Sequence, residues 1–155
     1  IIVIDNDINK KKLAKKFKIK NFYQNLNPHT KKAIFKKFNY GADICFESAG
    51  DVKTIEFGLK LISKSGRIHF ASHPDRRFKL SIDPHELIKG KKITGSWGGS
   101  VQPDKDIKKF SKILKKLKFN SKIINSKVYN LDDINLAVKD FRLKKVFRPI
   151  IKMSH

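Results

Sequence analysis

Acidic and small residues stand at points of the sequence where buried strands are expected to end. Asp5 directly follows the apolar run Ile1–Ile4. The stretches 47–50 (ESAG), 71–74 (ASHP) and 96–99 (SWGG) each stand at the end of another predicted short strand. In open α/β sheets, ligands bind beyond the carboxyl ends of the strands, where an acid can accept hydrogen bonds from the hydroxyl pair of a ribose. These positions indicate a candidate nucleotide site, and Asp5 would repel a ribose that carries a 2′-phosphate.

The same features have other interpretations. A carboxylate after a strand also serves as a turn acid before a helix, and this structural use is about as common as ribose binding. A methyltransferase that holds the ribose of S-adenosylmethionine would place an acid at the same point. The small residues in ESAG and SWGG would let a flat ring or a backbone segment approach closely in either kind of site.

Short apolar runs alternate with amphipathic stretches of about a dozen residues, which indicates an α/β fold with a parallel sheet covered by helices. The helix predicted over 51–63 is expected to end at SKSG, with Gly66 as a left-handed cap. A short strand is predicted near FKLSI (78–82), followed by a turn helix and a strand that ends in a glycine pair. An amphipathic helix over 102–118 and a closing strand, helix and strand complete the predicted order.

The formal net charge is +22, and 31 of the 36 basic residues are lysine. A nucleic-acid surface would be expected to use more arginine, because the guanidinium forks onto phosphate and guanine. The lysines are also spread over every predicted helix instead of forming one block. We therefore expect no specific nucleic-acid partner, and a basic, non-enzymatic module that binds RNA or another polyanion is kept as an alternative.

The chain contains one cysteine, Cys45, which excludes an internal disulfide framework and a multi-cysteine zinc site. Cys45 lies within an apolar strand and is predicted to be a structural thiol. No apolar stretch approaches the roughly 20 residues that span a bilayer, so we expect no membrane partner. The single cysteine fits a reducing, cytoplasmic location. Among the histidines, only His73 follows a predicted strand end, and His69 is expected to be structural. No residue is predicted to be a catalyst or a metal ligand.

Several motifs, in order along the chain, resemble the medium-chain, zinc-type alcohol dehydrogenases. Residues 41–72 are similar to the later nucleotide-binding half of that family, in which a strand "D-x-x-F-E-x-x-G" leads to a helix and a further strand. Residues 81–99 resemble its next segment, and residues 103–114, 129–141 and 146–151 resemble its last helix, an "L-x-x-I-N-x-A" segment and its terminal strand. The resemblance covers essentially the whole chain. It implies a partial Rossmann fold, a doubly wound parallel sheet that lacks its first strand.

The resemblance implies a site for NAD, with NADP disfavoured. Asp5 matches the acid that holds the adenosine ribose, and Lys10 matches a lysine that reaches the same ribose. Ser48 and Ala49 match small residues that wall the adenine.

The nicotinamide side is implied in the same way. Ala71 and Ser72 match the strand end near the nicotinamide, although the family often has glycine at the position of Ala71. Ser96 and Trp97 match residues whose backbone faces the carboxamide. Arg148 matches an arginine that pairs with the pyrophosphate, a role that suits an always-charged, planar fork.

The family's first strand, its Gly-rich turn and its N-terminal catalytic domain have no counterpart in the sequence. We expect a partial dinucleotide-binding domain over residues 1–122, and a strand-helix-strand segment over 123–155 that returns toward the missing catalytic domain. Zinc is expected only in that missing domain, so the isolated chain is expected to be inactive. In the strand order 3-2-1-4-5-6, loss of central strand 1 separates strands 2 and 3 from strands 4 to 6.

The resemblance implies that the whole enzyme transfers hydride between an alcohol or polyol and NAD, with zinc polarising the alcohol oxygen. It also implies a homodimer or homotetramer, with the edge near GSWGGS as a contact. Two related alternatives remain beside the RNA-binding module. A methyltransferase fragment would need a glycine-rich loop before Asp5, and a zinc-free quinone-reductase relative would usually use NADPH, which Asp5 disfavours.

Overall fold

The computed structural model describes residues 1–120 and 127–153. Strands and helices alternate along it, in the following order: β1 (Ile2–Asp5), α1 (Lys10–Lys16), β2 (Asn21–Gln24), α2 (Pro28–Lys37), β3 (Ala42–Glu47), α3 (Val52–Leu61), β4 (Ile62–Phe70), α4 (Pro84–Ile88), β5 (Lys92–Gly95), α5 (Pro103–Lys116), β6 (Val128–Asn130), α6 (Ile134–Arg142) and β7 (Ile150–Lys152). No helix of the described residues is long and apolar enough to cross a membrane. The chain divides into two compact units, Ile1–Pro103 and the part that begins at Asp104.

The first unit holds two separate parallel sheets. One sheet pairs β1 with β2, and the other has the strand order β3-β4-β5. The predicted α/β fold with parallel strands is confirmed. The predicted separation is confirmed too, because β1 and β3 each pair with one strand only among the described residues.

The core of the first unit lies between α3 and the three-stranded sheet. It is built from four buried side chains, Ile55 and Leu59 on α3 with Ile62 and Ile68 on β4. Cys45 packs against this cluster. Burial, and secondarily the negative charge of Glu47, raises the pKa of the Cys45 thiol to about 11. The raised pKa disfavours the nucleophilic thiolate, and the packing of Cys45 against the core agrees with the predicted structural role.

Two details of the predicted secondary structure are wrong. Gly66 is not a left-handed helix cap; it lies inside β4, because the chain passes directly from α3 into an extended conformation at Ile62. A Cβ at Gly66 would stand 2.8 Å from the Cβ of Ile62 and 2.9 Å from the carbonyl oxygen of Ala42, so close packing requires this glycine. Residues 78–82 form no strand; the Ser81 backbone N–H instead donates to the Glu56 carboxylate at 2.8 Å.

The second unit contains α5 and a strand-helix-strand segment, as expected. Strands β6 and β7 are parallel and adjacent, with α6 between them in sequence. The buried carboxylate of Asp140 on α6 accepts a hydrogen bond from the Tyr129 hydroxyl at 2.8 Å, which ties the helix to β6. The expected domain boundary between residues 122 and 123 lies outside the described residues, and it stays a prediction.

Candidate functional site

The carboxyl ends of β3, β4 and β5 lie side by side. The Ala71 N–H donates to the Glu47 carbonyl oxygen at 3.0 Å, and the Ser96 N–H donates to the Phe70 carbonyl oxygen at 3.1 Å. These two bonds continue the parallel ladders just past the strands. The stretches ESAG, ASHP and SWGG therefore meet at one edge of the sheet.

Glu47 organises this edge, although no role was predicted for it from the sequence. Its buried carboxylate accepts hydrogen bonds from the Ala49 N–H at 2.6 Å and the Gly50 N–H at 3.0 Å. It also accepts from the Thr54 hydroxyl at 2.6 Å and, in a short contact, from the Ser72 hydroxyl. One side chain thus fixes the ESAG turn, the start of α3 and the end of β4. The available sequence signal was an acid at a strand end followed by two small residues.

The ionisation of Glu47 reflects two opposing effects. Burial favours the neutral acid, but the hydrogen bonds from the two hydroxyls and the two backbone N–H groups outweigh it and lower the pKa of Glu47 from its ordinary value. The resulting stabilisation is fully present above the ordinary glutamate pKa and is lost as the pH falls through the lowered folded-state pKa.

Replacing Glu47 with glutamine should lower the free energy of unfolding by roughly 2 kcal/mol, because the charge-assisted bonds are lost and an amide donor is forced against other donors. Urea titrations of the full-length protein at neutral and acidic pH measure this, and the difference between the proteins should shrink as the pH falls. The matched control is Glu56→Gln, whose carboxylate accepts one exposed backbone bond. Equal losses in the two variants would contradict the organising role of Glu47.

A cleft of about 410 Å³ opens between the ends of β4 and β5. Two ring systems form one wall: the imidazole of His73 meets the indole of Trp97 edge-on, with ring centroids 4.3 Å apart. The indole is 79% exposed, so its surface is available to a ligand. The lining residues are Phe70, Ser72, His73, Pro74, Arg76, Gly95, Ser96 and Trp97. Three of the predicted cofactor residues, Ser72, Ser96 and Trp97, are therefore brought together, while Ala71 is exposed beside them.

His69 fixes one side of this cleft from within the sheet. Its two ring nitrogens lie 2.9 Å from the Thr94 hydroxyl and 2.8 Å from the Ser96 hydroxyl. The ring thus ties β4 to β5 and holds the Ser96 side chain in place. This agrees with the structural role expected for His69.

Asp5 and Lys10 form an ion pair at the carboxyl end of β1, in the other sheet of the first unit. The Lys10 ammonium lies 2.8 Å from Asp5 Oδ2, and Asp5 Oδ1 accepts from the Asp7 N–H at 2.9 Å. Asp5 is half-buried, and its carboxylate is held in one orientation by these two contacts. The two residues predicted to share a ribose are therefore adjacent.

The remaining predicted positions are at the surface. Ser48 and Ala49 are exposed on the ESAG turn. Arg148 is exposed in a bend just before β7, in the second unit, and not within the terminal strand where it was expected. No group of three or more histidine, cysteine, aspartate or glutamate side chains suited to a metal ion occurs in the described part of the chain.

Comparison with known proteins gives a family match and a set of structural matches. The family model described as zinc-binding dehydrogenase matches residues 1–117. Benzyl alcohol dehydrogenase from Acinetobacter calcoaceticus superposes with a TM-score of 0.86 at 26% identity, over 99% of this chain and 43% of that one. An alcohol dehydrogenase from Thermotoga maritima gives a TM-score of 0.81 at 21% identity, over 99% of this chain and 43% of that one.

A third structure, 2R,3R-butanediol dehydrogenase from Bacillus subtilis, gives a TM-score of 0.76 at 17% identity, over 96% of this chain and 42% of that one. The matches under 25% identity establish the fold. Curated protein sequences yield no significant match. The chain spans less than half the length of each of these structural relatives.

Proposed function

The chain belongs to the zinc-binding dehydrogenase family, and from this premise we propose that it is the cofactor-binding part of a larger, NAD-dependent alcohol or polyol dehydrogenase. The observation that carries the proposal is the Asp5–Lys10 pair at the carboxyl end of β1. A fixed carboxylate at this point of an α/β sheet suits the hydroxyl pair of an adenosine ribose.

In this proposal, Asp5 accepts hydrogen bonds from both ribose hydroxyls and Lys10 donates to the same sugar. A 2′-phosphate would meet the Asp5 carboxylate at close range, so NAD is favoured over NADP. Ser48 and Ala49 form the wall beside the adenine. Their turn is held rigid by Glu47, which supports a preformed pocket.

The cleft between β4 and β5 is assigned to the nicotinamide side. The Ser72 hydroxyl donates its hydrogen bond to Glu47, so its oxygen keeps only an acceptor capacity toward a ligand. That polarity suits the carboxamide N–H of a nicotinamide. Ala71, Ser96 and Trp97 complete this side, and Arg148 is assigned to the pyrophosphate.

The nicotinamide, when bound, accepts the hydride that an alcohol carbon loses on oxidation. The residues of this chain hold and orient it, and none of them is assigned as a catalyst. Zinc is proposed to reside only in the N-terminal catalytic domain, outside this chain. Expected further properties of the whole enzyme are a cytoplasmic location and a homodimer or homotetramer, with the β5 edge near residues 95–100 as a contact.

The family match favours this function over the alternatives of a methyltransferase fragment and a basic RNA-binding module. The test is NADH formation by the full-length protein with a panel of alcohols that includes benzyl alcohol and butanediol. Alcohol-dependent NADH formation supports the proposal. A protein that binds neither nicotinamide nucleotide and oxidises none of these alcohols would contradict it.

A further inference from the structure

His69 joins two strands of the three-stranded sheet through both nitrogens of its ring. Nδ1 lies 2.9 Å from the Thr94 hydroxyl, and Nε2 lies 2.8 Å from the Ser96 hydroxyl. Of these three residues, Ser96 is the one that lines the cleft between β4 and β5. A neutral imidazole donates from one ring nitrogen and accepts at the other, so one of the two hydroxyls must accept and the other must donate. The assignment decides what the Ser96 hydroxyl can offer to a ligand.

A backbone carbonyl group makes this assignment. The Thr94 hydroxyl also donates to the carbonyl oxygen of Ile68, at 3.4 Å, and a carbonyl oxygen can only accept. Because a hydroxyl carries one hydrogen, the Thr94 oxygen must accept from His69, and the ring proton is therefore on Nδ1. Nε2 is then unprotonated and accepts the hydrogen bond that the Ser96 hydroxyl donates. This series of bonds commits the hydrogen of Ser96 to the sheet.

Ser72, which lines the same cleft, is committed in a similar way, because its hydroxyl donates to the Glu47 carboxylate. The oxygens of Ser72 and Ser96 thus keep only an acceptor capacity toward a ligand. A primary amide carries two N–H donors on one nitrogen, whereas a carboxylate carries acceptors only. These two hydroxyls therefore suit an amide group and disfavour a carboxylate at the same place.

We propose that His69 is a positioning residue that makes the cleft selective for the amide form of the nicotinamide ring, because it holds the Ser96 hydroxyl as an acceptor. The inference rests on the proposed function and adds a residue that determines the specificity of the same site. His69 is not among the lining residues, and it acts through Ser96. Without its imidazole, the Ser96 hydroxyl could turn and donate to a ligand, and the discrimination against a carboxylate would weaken.

Calorimetric titrations of the full-length protein test this selectivity, with NAD⁺ and with its nicotinic acid analogue, in which a carboxylate replaces the carboxamide. The wild type should bind NAD⁺ about tenfold more tightly than the analogue, and His69→Val should reduce this preference to about twofold. His69→Gln should retain most of the preference, because its amide can donate to Thr94 and accept from Ser96. The Arg76 guanidinium also lines the cleft and attracts the carboxylate in every variant, so the ratio of the two dissociation constants is compared.

Ile93→Val is the matched control for a general loosening of the sheet. Ile93 precedes Thr94 on β5 and packs against the core of the first unit, so the change trims the same strand and leaves every group of the hydrogen-bonded series in place. The control should keep the preference of the wild type. A preference that is absent from the wild type, unchanged in His69→Val, or reduced equally in Ile93→Val and His69→Val would overturn the proposal.

Nitrogen NMR of the His69 ring separates this inference from the proposed function, because it needs no nucleotide. At about pH 8.5, where an ordinary imidazole is neutral, the ring of the wild type should carry its proton on Nδ1. Thr94→Val should move that proton to Nε2, since the acceptor for Nδ1–H is removed. If the full-length protein binds no nicotinamide nucleotide, the proposed function fails, and a proton on Nδ1 still supports the orientation of the Ser96 hydroxyl. A proton on Nε2 in the wild type would overturn the inference.

Discussion

Produced by itself, the chain of residues 1–155 should bind NAD at least about tenfold more weakly than the full-length protein, and it should unfold over a broad temperature range. The reason lies in the two sheets of the first unit. Strands β1 and β3 each have one free edge among the described residues, and the β1–β2 sheet pairs only four residues per strand. A two-stranded sheet of this length is marginal by itself.

Because the two sheets are not hydrogen-bonded to each other within the described residues, the two parts of the proposed site are not held at a fixed distance. The Asp5–Lys10 pair, proposed to bind the ribose, lies at the carboxyl end of β1, whereas the cleft lies at the carboxyl ends of β4 and β5 in the other sheet. A cofactor that contacts both parts of the site must also order the two sheets relative to each other, and the free energy of that ordering reduces the affinity. One parallel strand between β1 and β3 would pair both free edges and fix the distance between the two half-sites.

Calorimetric NAD titration and circular-dichroism melting, carried out on the 155-residue chain and on the full-length protein, test this prediction. The isolated chain should also aggregate on heating, because exposed parallel edges can pair with other chains. Saturable NAD binding of equal affinity in the two proteins, together with a sharp cooperative melt of the isolated chain, would show that no further strand is required.

Replacing Asp5 with asparagine in the full-length protein should raise the KM for NAD by ten- to a hundredfold, since the two charge-assisted hydrogen bonds proposed between Asp5 and the ribose would be lost. The KM for NADP should change little or fall, because the repulsion of its 2′-phosphate is removed. The discrimination between the two cofactors should therefore decrease. Steady-state kinetics with each nucleotide, at a fixed alcohol concentration, measures both effects.

Asp7→Asn provides the matched control for this variant. Asp7 stands two residues further along, and in the described part of the chain its side chain accepts only the Asn9 backbone N–H, at 3.0 Å. The control removes the same charge from the same turn and should leave cofactor preference unchanged. An equal loss in both variants would mean that the negative charge of the turn matters and the ribose contact of Asp5 does not.

The features that could be predicted from the sequence are those that depend on a single strand or helix and the residues next to it. Short runs that end in an acid or in small residues predicted the strands β1, β3, β4 and β5. The stretches after β3, β4 and β5 could then be placed together, because the carboxyl ends of parallel strands in one sheet lie at the same edge. The adjacency of Asp5 and Lys10 follows from a strand that leads into a helix. The separation of the two sheets was predictable from the strand order that the family resemblance implies, because the central first strand of that order has no counterpart in the sequence.

Features that depend on packing between elements could not be predicted in this way. Glu47 gained its role because Ser72 and Thr54, distant in sequence, converge on its carboxylate. The ion pair between Asp75 and Arg77 depends on which of two adjacent arginine side chains turns toward the carboxylate. Gly66 was assigned to a cap because its local sequence suits one, whereas the close approach of Ala42 and Ile62 decides its conformation.

The most direct test of the central claim is a pair of calorimetric titrations of the full-length protein, one with NAD⁺ and one with NADP⁺. The account predicts saturable binding of one NAD⁺ per chain, at least about tenfold tighter than NADP⁺. Binding of NADP⁺ as tight as that of NAD⁺, or no binding of either nucleotide, would contradict it.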